Sequence, residues 1–349
     1  MLIFVVVAVL NFWKPAAPET TKPVPTFAKP QDYSASYKPP VPRVVEPELE
    51  SDDAGRPKLP REKVEAWLAK HNRNASSLLA AFRAMGDTNY LNEAATNFPN
   101  DPHVELAVLA HDEFPADRRK WLDLFKASSP SNSLANYFSA EDYFKNGKPD
   151  EAMQELLAAS GKSQFNNHGM ETQLDAEELY LDSGQSAKEA ATFSMSAMAE
   201  EDLPQLATIK RVDQGVADLI QQKLATGDAD SAVNLAQLGM IMADNLNSGD
   251  SGKYLINQLV GMASEAVVLS HLDQNTAYDF LDGQTPAQIL QENKQQKAAL
   301  RELQANFQAA YPSLTDAELN NYSKRSQIYG EVAAMQWVIQ QHPPADPAK

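Results

Sequence analysis

Residues 130–160, PSNSLANYFSAEDYFKNGKPDEAMQELLAAS, spell out one complete helical hairpin, and most of the chain varies on that unit. Pro130, Ser131 and Asn132 supply a turn and a start signal, and Leu134, Tyr137, Phe138 and Phe144 recur at helical spacing. Gly147 stops the first helix, where a residue free to take positive φ is wanted. Pro149 sits near the start of a second helix, where its missing N–H costs nothing. Ala152, Leu156, Leu157 and Ala159 are the expected buried face of that helix, and the alanines allow close helix–helix approach.

The unit recurs. Tyr143 and Gly147 precede Glu151-Ala152, Tyr180 and Gly184 precede Glu189-Ala190, and Lys223 and Gly227 precede Ser231-Ala232. A weaker copy runs from Gly86-Asp87 to Glu93-Ala94, and the junctions FPNDP (98–102) and SPSNS (129–133) match each other. A tyrosine, a glycine and an alanine at such offsets in a two-helix unit closed by proline resemble the tetratricopeptide repeat. Tyr143, Gly147, Ala152 and Ala159 fit it. The early tryptophan and leucine–glycine pair of that family are missing, with Asn136, Ser139 and Ala140 in their place. The resemblance covers about residues 87–246 and implies an all-α superhelix of hairpins that binds partners on its concave face.

The rest of the folded chain also reads as helix. Start signals stand at Asn74, Asp87, Asp101, Ser186, Asp228 and Thr315, and no alternating β-branched run lies between turn signals. Residues 161–169 read as a looser segment. Pro204 reads as the opening of a new helix after one over 187–199. At the end, a polar helix from Pro286 with a Leu300, Leu303, Phe307, Ala310 stripe and a last helix from Thr315 are expected to pair antiparallel and cap the array.

The first 60 residues differ. MLIFVVVAVLNFW is apolar and uncharged but short of the roughly 20 residues of a spanning helix, and it lacks a basic leader. Residues 14–60 hold 11 of the 22 prolines, with seven Lys/Arg against seven Asp/Glu. Such a composition favours an extended spacer over a core. The expected organisation is therefore an apolar anchor or signal remnant at 1–13, a disordered linker at 14–60, the repeat region at 61–246, a C-terminal helical region at 247–341 and a disordered tail at 342–349. The expected location is a membrane-tethered domain outside the cytoplasm of a bacterial envelope, or a secreted one. The net charge of −17 falls wholly within 61–349 and argues against a nucleic-acid partner.

Catalytic motifs are missing. There is no cysteine, no HExxH and no GxSxG. GDSGKY (249–254) lacks the residues of a phosphate loop. His103 and His111 could share a helix face, although a surface role is the ordinary reading of both. No cofactor or metal is expected. What remains is binding. In the repeat alignment the concave positions are Tyr137, Glu141, Asp175, Glu178, Asp182, Asp218 and Gln221, mostly acidic, which suits a basic peptide or protein partner. The competing classes are a helical hydrolase or lyase, and an oligomer built through the C-terminal helices.

Overall fold

The computed structural model describes residues 58–162 and 164–343, with the side chains of 199–201 outside that description. The anchor at 1–13, nearly all of the linker and residues 344–349 of the tail lie outside the described residues. The described chain is all-α. Its helices are α1 (Arg61–Lys70), α2 (Ala75–Met85), α3 (Thr88–Asn97), α4 (Pro102–His111), α5 (Arg118–Ser128), α6 (Leu134–Lys145), α7 (Pro149–Ser160), α8 (Gly169–Asp182), α9 (Ala187–Ala225), α10 (Ala229–Asn247), α11 (Leu255–Leu269), α12 (Pro286–Ala310), α13 (Asp316–Tyr329) and α14 (Glu331–Gln341). Among the described residues no helix is long and apolar enough to cross a membrane.

Local chemistry sets most of these boundaries. The side chains of Asn74, Asp87, Asp101, Ser186, Asp228 and Thr315 each accept a hydrogen bond from a backbone N–H of the first turn that follows. Each satisfies a donor that the helix itself leaves unpaired. Gly147 takes a φ of 68° at the end of the opening hairpin, a conformation that a Cβ disfavours. Val64, Trp67 and Leu68 of α1 are buried as their spacing predicts.

The central element is α9. It runs 39 residues without a break and carries Pro204 inside it, where the sequence suggests two helices. A proline that opens a helix and one that interrupts it look alike in sequence. Here one long-range bond and one bond within the helix flank the proline. Asp202, fully buried, accepts from the Asn167 side chain at 3.0 Å, and Thr208 Oγ1 donates to the Pro204 carbonyl at 3.2 Å. One α9 face, with Ile209, Val212, Val216 and Ile220, is completely buried. α8 packs on α9 and also returns to α2, and α9 packs against α4, α6, α10, α11 and α13. The approach to α6 is close: a Cβ at Gly215 would lie 2.8 Å from the Phe144 ring.

Other expectations change in detail. The described residues 164–169 are pinned rather than loose. Asn132 Oδ1 accepts from the backbone N–H groups of both Leu134 and Asn166, its Nδ2 donates to the Asn166 carbonyl, and Ser133 N–H donates to the Gln164 carbonyl. The last helix is split into α13 and α14 at Gly330, where φ is 89° and a Cβ would meet the Lys253 carbonyl oxygen at 3.1 Å. Leu157, expected inside, is 65% exposed, because α7 buries only the side carrying Ala152, Leu156 and Ala159. The linker ends earlier than its composition suggests: Leu59 is already in the core, and the Pro60 carbonyl accepts the N–H groups of Lys63 and Val64 in α1. One apolar cluster runs from Leu59 to Leu281, and a second joins Met195 of α9 and Leu255, Leu259 and Met262 of α11 to α12, α13 and α14. At the C-terminus, Leu303 and Phe307 of α12 lie with Tyr322 of α13 and Val338 of α14. The tail begins ordered, since His342 Nε2 lies 2.9 Å from Glu318 Oε1.

Candidate functional site

A cleft of about 890 Å³ opens between the end of α4, α6 and the middle of α9. Leu109, Phe144 and Leu219 give it an apolar wall. Its floor is polar and is organised by Glu141, which is 5% exposed. The glutamate Oε1 accepts from Arg211 Nε at 2.7 Å, and Oε2 lies 3.5 Å from Arg118 Nη2. Arg118 is itself held, donating to the Leu109 carbonyl at 3.0 Å and to Asp112 at 3.3 Å. Beside it Arg119 lies over the Tyr143 ring at 4.1 Å and bonds Asp142. The Arg211 side chain remains 55% exposed, so its guanidinium faces the cleft while one edge is tied to Glu141. Two guanidinium groups against one buried carboxylate fix the α5–α6–α9 junction and leave hydrogen-bond donors for a ligand.

The seven sequence-predicted positions do not form one groove. Glu141 and Asp218 line the cleft. Tyr137 is 1% exposed, its hydroxyl accepts from Asn245 Nδ2 at 2.8 Å, and burial pushes its phenol up to about 12, so no partner reaches it. Asp175, Glu178 and Asp182 lie along α8. Asp182 pairs with Lys70 at 2.7 Å, Glu178 lies 3.5 Å from His71, and Asp175 is half-buried, which raises its carboxyl. Gln221 is exposed, its amide 3.1 Å from the His271 ring. The cause of the dispersal is α9, which lies along α6 where an open concave face would need empty space. Sequence reasoning missed Arg118 and Arg211. The Arg118-Arg119 pair at a helix start was a local signal, while nothing local marks Arg211.

The histidines are also rearranged. His111 sits edge-on to Phe82 at 4.8 Å, whereas His103 meets His168, with ring centroids 4.0 Å apart in a T-shape. Burial drives the His168 imidazole down to about 3, with help from His103 and Arg83, so it is neutral at ordinary pH. Two carboxyls are driven the other way. Burial pushes Asp213 up to about 7 against the opposing bond from Ser264, and Glu331 up to about 7 against a bond from the Leu255 N–H.

No protein-family model, no curated protein and no solved structure matches this chain significantly. The cleft must therefore be read from its own chemistry.

Proposed function

We propose that this chain is a non-catalytic protein-interaction domain, built from tetratricopeptide-like hairpins, that takes a segment of a partner protein into the cleft between α6 and α9. The carrying observation is the cleft itself. Its volume of about 890 Å³ is at the upper end of the range for ligand sites, and it sets an apolar wall beside a half-exposed, pre-positioned Arg211. An amphipathic segment suits that lining, with an apolar side chain against Phe144 and Leu219 and a carboxylate or carbonyl at Arg211. This differs from the basic peptide that the acidic positions suggest, because Asp182 and Glu178 face Lys70 and His71. The apolar run 1–13 and the proline-rich 14–60 support a membrane-tethered arrangement in a bacterial envelope, with the domain outside the cytoplasm.

A photo-crosslinking amino acid at Lys145, on the rim, tests the reading in cells of the source organism. The expected result is a discrete adduct with one partner protein, lost when Gln214→Trp fills the cleft from its exposed edge. The proposal fails if the same probe at Asn321, on α13, yields the same adducts, or if Gln214→Trp leaves them unchanged.

A further inference from the structure

The chain holds a second constructed feature, remote from the cleft, where the N-terminal ends of α4 and α8 meet. His103 stands in the first turn of α4, His168 immediately precedes α8, and Glu171 is in the first turn of α8. One ligand atom from each of the three lies within 4.8 Å of the other two. We infer that His103, His168 and Glu171 form a binding site for one zinc-like transition-metal cation, with a remaining position open to solvent.

Three observations carry this. The first is the donor set. Two imidazoles and a carboxylate, with no thiolate, match the N/O preference of Zn²⁺ and of Co²⁺ or Ni²⁺, and they suit Ca²⁺ or Mg²⁺ poorly. The second is an unpaired atom. His168 is 9% exposed, and its Nε2 is buried without a hydrogen-bond partner. Nε2 is thus a buried ring nitrogen for which the protein supplies no partner, a place that a ligand can take. The ring's Nδ1 lies 3.3 Å from the Asn166 amide nitrogen, a long contact, and metal binding through Nε2 moves the ring proton to Nδ1 at the expense of that contact alone. The third is placement. His168 is held in the left-handed region at φ 56°, a conformation that costs a non-glycine residue about 1 kcal/mol or more and survives only when the surroundings impose it. They do impose it: Asn166 Oδ1 accepts the His168 N–H at 2.9 Å, and Asn132 holds Asn166 on both sides. The ring is thus fixed against His103 before any ligand arrives.

Tetrahedral zinc with bonds near 2.0–2.1 Å wants ligand atoms about 3.4 Å apart. Closing the widest separation is left to Glu171, whose exposed side chain is free to swing, and to His103, which is half-buried. The positive ends of two helices oppose a cation here. Glu171 and the α4 cap Asp101, whose Oδ1 is 3.8 Å from His103 Nδ1, offset that field. A bound ion would tie two segments far apart in sequence across the top of the fold.

The test uses the full chain, stripped with chelator, and titrated with Zn²⁺ by calorimetry and with Co²⁺ by visible absorption. The expected result is one ion per chain, with a Co²⁺ band typical of mixed nitrogen and oxygen ligands. His103→Ala and Glu171→Gln each weaken binding by about tenfold or more, and His111→Ala leaves it unchanged. Asn166→Asp keeps the bond to the His168 N–H, gives Nδ1–H an acceptor and tightens binding. Circular dichroism of each variant confirms folding, and Glu171→Gln, at an exposed position, keeps the test valid if His103→Ala unfolds. Absence of stoichiometric binding overturns the proposal. So does binding that survives the combined His103→Ala and Glu171→Gln change, which would place the ion on surface carboxylates.

Discussion

The most informative perturbation away from either site is Asp213→Asn. Asp213 lies on the buried face of α9 at 1% exposure, bonded by Ser264 Oγ of α11, with its second oxygen buried and unpartnered. Burial raises its folded value from 3.8 to about 7. Between about pH 4 and pH 7 the folded chain therefore holds a proton that the unfolded chain has released, so stability falls as pH rises through that window and levels above it. At 1.36 kcal/mol per pH unit the full loss is of order 4 kcal/mol, a large part of a typical 5–15 kcal/mol total. Asparagine removes the titration and keeps the shape. Its Oδ1 accepts from Ser264, and its amide replaces the equally unpartnered hydroxyl of the protonated acid. The expected change in stability is close to zero at pH 4, about 1.5 kcal/mol of stabilisation at pH 5 and about 4 kcal/mol at pH 8, or roughly 8–16 °C in melting temperature. Urea unfolding of both proteins at pH 5 and pH 8 measures it. A stability difference independent of pH, or a loss at pH 8, would refute the assignment of Asp213 as a buried neutral acid.

Three further outcomes follow from single contacts. Gly215→Ala places a methyl 2.8 Å from the Phe144 ring and is expected to cost about 1–3 kcal/mol in urea unfolding, with part recovered by adding Phe144→Leu. Glu141→Ala strips Arg211 of its carboxylate and Arg118, only 15% exposed, of one of its two α6 carboxylates, Asp142 remaining at 3.7 Å, and is expected to cost about 1–3 kcal/mol, while Glu141→Gln costs less because the amide oxygen still accepts from Arg211. Leu157→Lys, at a position 65% exposed, is expected to change stability by less than about 0.5 kcal/mol, although the hairpin periodicity places it inside.

What was legible in the sequence was whatever is decided within one helical turn. Asn74, Asp101 and Ser186 cap helices through bonds to N–H groups two or three residues ahead, so each start could be read from its own neighbourhood. The path of α9 could not. The Asn167–Asp202 bond beside Pro204 spans 35 residues and leaves no local mark in the sequence. The cleft depends on Arg211 reaching Glu141 across 70 residues. Periodicity also cannot separate a residue that lines a groove from one that fills a core, which is why Tyr137 and Glu141 were assigned to the same surface although only Glu141 reaches the cleft. The same limit applies to charge. A formal −17 suggests an acidic exterior, yet Glu105, Glu141, Asp202, Asp213 and Glu331 are all buried. Asp213 and Glu331, each at about 7, are mostly protonated in the folded chain at pH 6 and ionised in the unfolded one. These two carboxyls alone make the folded chain about two charges less negative than its composition at that pH. The same two protons add to stability on mild acidification, against an opposing loss from His168, whose imidazole stays neutral in the folded chain while the unfolded one gains a proton.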